Sequence, residues 1–266
     1  MQKKYISLGL MSGTSGDGVD ASIIHSNGID HFEVIKDKYF EYDSNIYKNI
    51  HFLKEKIFNI KDLKKLSSEL LDLERKITIF HAKVIKEFKP NDEDVVIGFH
   101  GQTIFHNSKQ KISMQLGDGQ LLHQLTKKKI IFNFRKNDIL NGGEGAPLTP
   151  IFHKLIVKQK NIKLPVCILN IGGISNVTAI EKHNDNSFFS RDLGPGNCLI
   201  DEWVRKNTKK NYDHNGKIAK KGKTNDLILK QALDNFNDKF EHNMLSFDTK
   251  DFSLGFVRGL KLEDGA

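Results

Sequence analysis

The sequence predicts an α/β protein of two lobes. Three observations carry that expectation. Strand-like apolar runs stand on both sides of one long helical stripe. A polar stretch at 158–163, ahead of Pro165, divides the chain. Each side of that divide then opens in the same order, as strand, glycine turn, strand and strand. The expected lobes are therefore residues 1–160 and 161–266.

Taken in order, Tyr5–Leu10 is a short apolar run, Val19–Ile24 alternates loosely and His31–Phe40 alternates clearly. Met11-Ser12-Gly13-Thr14-Ser15-Gly16-Asp17-Gly18 forms the turn between the first two. Leu63, Leu66, Leu70, Leu73, Ile77, Phe80, Val84 and Phe88 then recur at steps of three and four until Pro90. Such a stripe suits a coiled-coil seam or a helix lying on a sheet, and the flanking strands favour the sheet. Strands are expected at Asp94–Phe99, Ile112–Leu116 and Lys129–Phe134, with helices at Gln120–Leu125 and Leu148–Val157. The second lobe reads as strand Pro165–Asn170, turn Ile171-Gly172-Gly173, strands Ile174–Ile180 and Ser187–Arg191, and a helix at Cys198–Lys206.

Length and composition exclude more than they select. The 266 residues give room for one large or two small domains. No run approaches the roughly 18 apolar residues of a membrane helix, and the N-terminus lacks a signal-peptide pattern. Two cysteines make neither a disulfide framework nor a zinc set. A cytoplasmic protein is expected, without a membrane partner. The net charge of +8 is mostly scattered lysine with no interleaved aromatics, which reads as a solvated surface rather than a nucleic-acid footprint.

Two glycine turns carry the chemistry. Gly13, Gly16 and Gly18 free backbone amides to approach an anion, and Thr14 and Ser15 add hydroxyl donors. Asp17 and Asp20 would repel a bare phosphate unless one of them orients Mg²⁺ or its waters. Gly172-Gly173, with Ser175 and Asn176, supplies a second half to a phosphate clamp. Two such turns, each opening a three-strand unit, point to a two-lobed phosphotransferase. Gly222-Lys223-Thr224 imitates a Walker A ending, but five residues follow Gly216 where four are required, and no strand precedes it. Asp192, between an apolar segment and Gly194-Pro195-Gly196, is a candidate general base held near helix-terminal amides, or else a capping aspartate. Arg135 and Asp138 suit either a fork onto carboxylate or sugar oxygens or a surface pair. His100 is a polar-site candidate, while its six-residue spacing from His106 fits no metal pair.

These motifs together resemble the anhydro-N-acetylmuramic acid kinases. The resemblance lies in Leu10–Ser15 with Asp17–Asp20, Gly98–Thr103, Phe134-Arg135 with Asp138 and Gly142–Pro147, Asn170–Asn176, and Asp192 with Gly194–Asn197. They fall in the family's order along 5–266. The resemblance implies two RNase-H-like lobes of the actin-like ATPase clan with ATP in the cleft. It implies Mg²⁺- and ATP-dependent conversion of 1,6-anhydro-N-acetylmuramic acid to N-acetylmuramic acid 6-phosphate in cell-wall recycling. Asp192 would deprotonate the attacking water. Gly13, Thr14, Ser15, Gly16, Asp17, Gly18, Val19 and Asp20 would form one ATP phosphate loop and Gly172 and Gly173 the other, with Asp17 near the metal. His100, Arg135, Asp138 and Asn197 would bind the sugar. A homodimer is also implied.

This chain departs from the family pattern in places. Gly16 replaces Leu, Asn133 replaces an acid, Glu144 replaces Gln, and Arg191 and Leu193 replace Phe and Thr. A cation at Arg191 is expected to lower the Asp192 pKa and weaken the base. By the resemblance the family runs roughly a hundred residues further, a domain-sized difference that leaves the second lobe incomplete with an open sheet edge. The alternative is therefore a truncated, catalytically inactive remnant of the family, at most a weak sugar or nucleotide binder.

Overall fold

The computed structural model describes residues 4–90, 95–107, 110–182, 188–239 and 246–266. The expected strand starts at Asp94 and Ser187 lie outside them. The first sheet begins as an antiparallel meander of β1 (Tyr5–Ser12), β2 (Gly18–Ser26) and β3 (Phe32–Glu41). Its longest strand, β4 (Val96–Asn107), runs parallel to β1 and also pairs in parallel with β6 (Lys129–Phe132) along Val96–Phe99. Its far half, from Gln102 onward, pairs antiparallel with β5 (Ile112–Leu116). The order is β3-β2-β1-β4-β5, with β6 on β4.

Helices cover this sheet. In α1 (Ser44–Lys56), Ile46, Ile50 and Leu53 make a buried face, and the Asp43 carboxylate accepts from the Asn45 and Ile46 amides as N-cap. The anticipated long stripe divides at Leu66 into α2 (Ile60–Lys65) and α3 (Ser67–Phe88). Leu70, Leu73, Ile77, Val84 and Phe88 of α3 share one core with Leu8, Ile97 and Phe99 of the sheet, so the helix lies on the sheet and is no coiled-coil seam. Each such side chain contributes about 1.5–3 kcal/mol by leaving water. Three shorter helices follow: α4 (Gly119–Thr126), α5 (Phe134–Leu140) and α6 (Pro150–Gln159).

The second sheet is the antiparallel order β7 (Val166–Ile171), β8 (Ile174–Ile180) and β9 (Phe188–Pro195), followed by α7 (Cys198–Asn207) and α8 (Asp226–Lys239). Three differences from the sequence reading bear on the site. The strand expected to end at Arg191 continues through Asp192 to Pro195, because the ladder with β8 extends to Ile174. The strand expected to end at Phe134 stops at Phe132, and Asn133, in the left-handed region, turns the chain into α5. The helices α1, α5 and α8 stand where the sequence reading places no helix. Among the described residues no helix is long and apolar enough to cross a membrane.

Candidate active site

The turn after β1 is held from three sides. Ser12 is buried, with its hydroxyl 2.7 Å from the Tyr42 hydroxyl and 3.4 Å from His81 Nε2. His81 Nδ1–H donates to the Ile77 carbonyl at 2.8 Å, so Nε2 accepts from Ser12, and Ser12 accepts from Tyr42. Burial keeps this imidazole neutral by pushing its pKa down to about 4. Gln102 Nε2 donates to the Gly13 carbonyl at 2.8 Å, and Lys54 Nζ reaches the Thr14 carbonyl at 2.5 Å. Gly16 sits at φ +66°, where a Cβ would stand 2.8 Å from Ile50, so a leucine here would strain both backbone and core. Val19 is fully buried in the core, which leaves it only its backbone to offer a ligand. Asp20 lies on β2, where partial burial of its carboxyl and the charge of Asp17 raise its pKa.

The second turn meets the first. A Cβ on Gly173 would lie 2.6 Å from Thr14 Oγ1. The amides of Asn197 and Cys198, at the start of α7, donate to the Gly172 and Gly173 carbonyls at 2.7 and 3.2 Å. This fixes the turn, and it means that these helix-terminal amides are not what holds Asp192. Beside the contact opens a cleft of about 870 Å³ lined by Ser15, Asp17, Gly173, Asn197, Asp201 and Arg205. Asn197 thus faces the cleft side of the two turns. Asp201, like Asp20, has its pKa raised by burial and by the charge of Asp17.

Asp192 lies in β9, opposite Asn176, and is 7% exposed. Its Oδ2 accepts from the Phe247 amide at 2.8 Å. It caps no helix; Asn197 occupies the N-cap position of α7. Burial pushes its pKa up to about 6, against the lowering by the Phe247 amide, by the nearby Ser246 hydroxyl and by the Arg135 guanidinium, with Glu144 adding to the rise. The weakening anticipated from Arg191 is absent, because successive strand residues point to opposite faces. The cation that faces the base is Arg135.

Arg135 is anchored rather than paired with Asp138. Its Nε–H donates to His100 Nε2 at 3.0 Å and its Nη1 to the Gly145 carbonyl at 2.7 Å, while Asp138 Oδ2 accepts from the Gly145 amide at 2.7 Å. The two side chains grip one residue of the glycine loop from opposite ends, which overturns the surface-pair alternative. His100 Nδ1–H donates to the Gly101 carbonyl, leaving Nε2 to accept, and burial beside Arg135 pushes its pKa down to about 4.

Gln102 Oε1, Glu144 Oε2 and Asn176 Oδ1 are buried acceptors without hydrogen-bond partners among the described residues. Buried acceptors of this kind call for a donor from water or ligand. Sequence reasoning missed Glu144 and Gln102 as site groups, though both sit inside quoted motifs, and it missed Lys54, Ser246 and Phe247 altogether. Gly222-Lys223 serves packing: Gly222 lies against the Glu263 backbone, and the Lys223 amide donates to Asp264.

Two glycine turns in contact beside a cleft, with a buried carboxylate whose proton affinity is raised, are an arrangement suited to a small-molecule phosphotransferase. A family model for anhydro-N-acetylmuramic acid kinase matches residues 4–242. The anhydro-N-acetylmuramic acid kinase of Pelagibacter ubique (strain HTCC1062) is 58% identical over 268 residues, covering 100% of this chain and 71% of that protein. Those of Rhizobium etli and Gluconobacter oxydans are each 35% identical, covering 97% of this chain and 71% and 73% of theirs. Among solved structures, a PPX-GPPA enzyme of Aquifex aeolicus overlaps with a TM-score of 0.34 at 10% identity, over 78% of this chain and 57% of that one. The chain belongs to the anhydro-N-acetylmuramic acid kinase family.

Proposed function

We propose that this protein opens the anhydro bridge of 1,6-anhydro-N-acetylmuramic acid with water and phosphorylates O6 from ATP, giving N-acetylmuramic acid 6-phosphate for cell-wall recycling in the cytoplasm. The observation that carries this reading is Asp192: a nearly buried carboxylate whose pKa, at about 6, suits a base working near neutrality. In the reaction the C1–O6 bond breaks, a bond from C1 to the water oxygen forms, and O6 takes the phosphoryl group. The water proton passes to Asp192.

The two halves, 1–160 and 161–266, act as two lobes with the site between them. Gly13–Gly18 and Gly172-Gly173 bind the nucleotide phosphates from opposite sides, since the Thr14–Gly173 contact brings the two turns together. Asn197 belongs with them, given its place in the cleft. His100, Arg135 and Glu144 face the sugar. Asp138 acts by holding the glycine loop through Gly145.

The residues present also fit Mg²⁺. Asp17 lies close enough to Asp20 and Asp201 to raise their proton affinity, which is a cluster that a hard cation relieves. Among the described residues no three His, Cys, Asp or Glu side chains converge as a metal cage. That suits a metal held by one or two carboxylates and by phosphate oxygens, as Mg²⁺ usually is. When bound, Mg²⁺–ATP supplies the γ-phosphoryl group and the charge that neutralises it in transfer.

The inactive-remnant alternative is not favoured, given 58% identity along the whole chain to a kinase of the family. The test is a coupled assay with the purified chain, ATP and the anhydro sugar, with Asp192→Asn as control. ADP and the 6-phosphate sugar should form together. Turnover no higher than in the control would overturn the proposal.

A further inference from the structure

We propose that Lys250 is a positioning residue for the base: seated on the C-terminal end of α1, it holds residues 246–251 where the Phe247 amide meets the Asp192 carboxylate. This rests on the reading of Asp192 as the base. It adds to the site a residue from a stretch that none of the sequence motifs covers.

Residues 246–251 touch both halves of the molecule. Ser246 Oγ stands 3.1 Å from His106 Nε2 of β4, in the first half. The Phe247 amide donates to Asp192 Oδ2 at 2.8 Å, in the second half. Thr249 Cγ2 lies 3.9 Å from a Cβ placed on Gly173, at the second glycine turn. Lys250 then returns to the first half. Its ammonium donates to the Ile57 carbonyl and stands 4.3 Å from the centre of the Phe58 ring. The segment is a clasp, with both ends fastened to one half and its middle against the base and the turn of the other.

A clasp holds its load only if it and its anchor are stiff. The Asp248 carboxylate accepts from the Lys250 amide at 3.0 Å, and Asp251 Oδ2 accepts from the Asp248 amide at 2.8 Å. This capping box closes the turn on itself. The anchor is equally fixed. Ile57 is fully buried in the first core, its amide donates to the Leu53 carbonyl, and Asp62 Oδ2 accepts from the Phe58 amide at 2.9 Å. The final carbonyls of a helix attract a cation, and Asp248, Asp62 and Glu55 add negative charge around this one.

The consequence lies at Asp192. Its carboxylate has the Phe247 N–H as a donor only while the clasp is seated, and a donor to the ionised form favours that form. The other charges that face Asp192 are Arg135, carried by α5, and Glu144, carried by the glycine loop. Neither belongs to the clasp. Lys250 therefore acts on the base through Phe247 and touches no reacting atom.

Lys250→Met keeps the aliphatic stem and removes the donor. We expect kcat to fall about tenfold, with KM for the sugar nearly unchanged. The acid limb of kcat/KM should move to higher pH by about half a unit or more, because the carboxylate loses a donor. Lys250→Arg, which still donates to the Ile57 carbonyl and lies on the Phe58 ring, should return the limb to its place. Lost stability alone would reduce the amount of active protein and leave the limb where it was. A limb unmoved in Lys250→Met, or one that arginine leaves displaced, overturns the proposal. A second arm needs no turnover: ¹³C NMR titration of the Asp192 carboxyl in the wild type, in Lys250→Met and in Phe58→Leu. Phe58 is 68% exposed, so its replacement loosens the seat without disturbing the core. The midpoint should rise in both variants, and coincident curves overturn the proposal. Asp192→Asn in the activity assay judges the base separately. Full activity there sinks the reading of the base, whereas the titration still judges the clasp.

Discussion

Thr14 and Gly173 stand in turns that follow strands of different sheets, yet the Thr14 hydroxyl oxygen lies where Gly173 has no room for a side chain, 2.6 Å from a Cβ placed there. Gly173→Ala should therefore push the two turns apart. We expect KM for ATP to rise about 10- to 100-fold, the scale of a displacement near 1 Å in a positioned site. The melting temperature should change little, because the glycine is outside the core. Adding Thr14→Ala, which clears the colliding atom, should recover part of the loss; no recovery would place the cause elsewhere.

Asp192→Asn keeps the shape of the base and removes its chemistry. A loss of about 10²- to 10⁴-fold in kcat is expected. In the wild type the group acts as a carboxylate, so kcat/KM for the sugar should rise with pH through an inflection near 6 and then level off. A profile flat from pH 5 to 7.5 would count against this residue as the base.

Arg135 and Glu144 pull that inflection in opposite directions. Glu144→Gln removes a negative charge facing Asp192, so the acid limb should move to lower pH. Arg135→Gln removes the positive charge and should move it to higher pH, with an added loss of binding because Gly145 and His100 lose their partner. Shifts of the same sign in both variants would contradict the assignment. Measuring pH–rate profiles of the three proteins side by side settles the point.

Acid should destabilise the fold through its histidines. His51, His81 and His100 are all held near pKa 4 by burial, below the unfolded value of about 6.5. Between those values the unfolded chain binds more protons than the folded one. The stability is thus fully present above pH 6.5 and is lost as pH falls towards 4. Asp192, whose folded pKa is raised from 3.8 to about 6, works the other way and offsets one of the three. For the fully buried His81 the contribution is about 3 kcal/mol. Melting at pH 7.5 and pH 5 should differ by several degrees, and His81→Gln should narrow the gap; equal melting temperatures would refute the account.

The sequence displayed what is local. Gly13–Gly18 and Gly172-Gly173 were legible because turns with free amides are written in consecutive residues, and the Leu70–Phe88 stripe because a helix repeats its buried face. The helix α1 is written by the same rule, in Ile46, Ile50 and Leu53 behind the Asp43 cap. Position along a strand was harder to read. Asp192 looked like a loop residue because Gly194 and Pro195 follow it, whereas the ladder to β8 carries the strand past both. What surrounds Asp192 was not legible at all. Arg135, Glu144, Ser246 and Phe247 approach it from distant parts of the chain, and their charge and hydrogen bonds, together with burial, set its proton affinity. The neighbouring Arg191, adjacent in sequence, points away.

One irregularity in β4 has wider reach than its size suggests. Leu10 pairs with Phe99 and Ser12 with Gln102, so His100 and Gly101 together stand opposite the single Met11. Gly101, at φ +73°, makes that extra residue possible, and a Cβ there would lie 2.5 Å from the Leu116 carbonyl. From there to Thr103 the side chains have the facing that one additional residue confers, and a second register shift, between Thr103 and Phe105, resets it again. Gln102 meets Gly13 only in that phase, and His106 meets Ser246 only after both shifts. Here the length of the strand is itself inherited information. A variant shortened by one residue between 99 and 102 would keep nearly all its composition, yet lose its grip on the first glycine turn and its link to the second sheet in a single event.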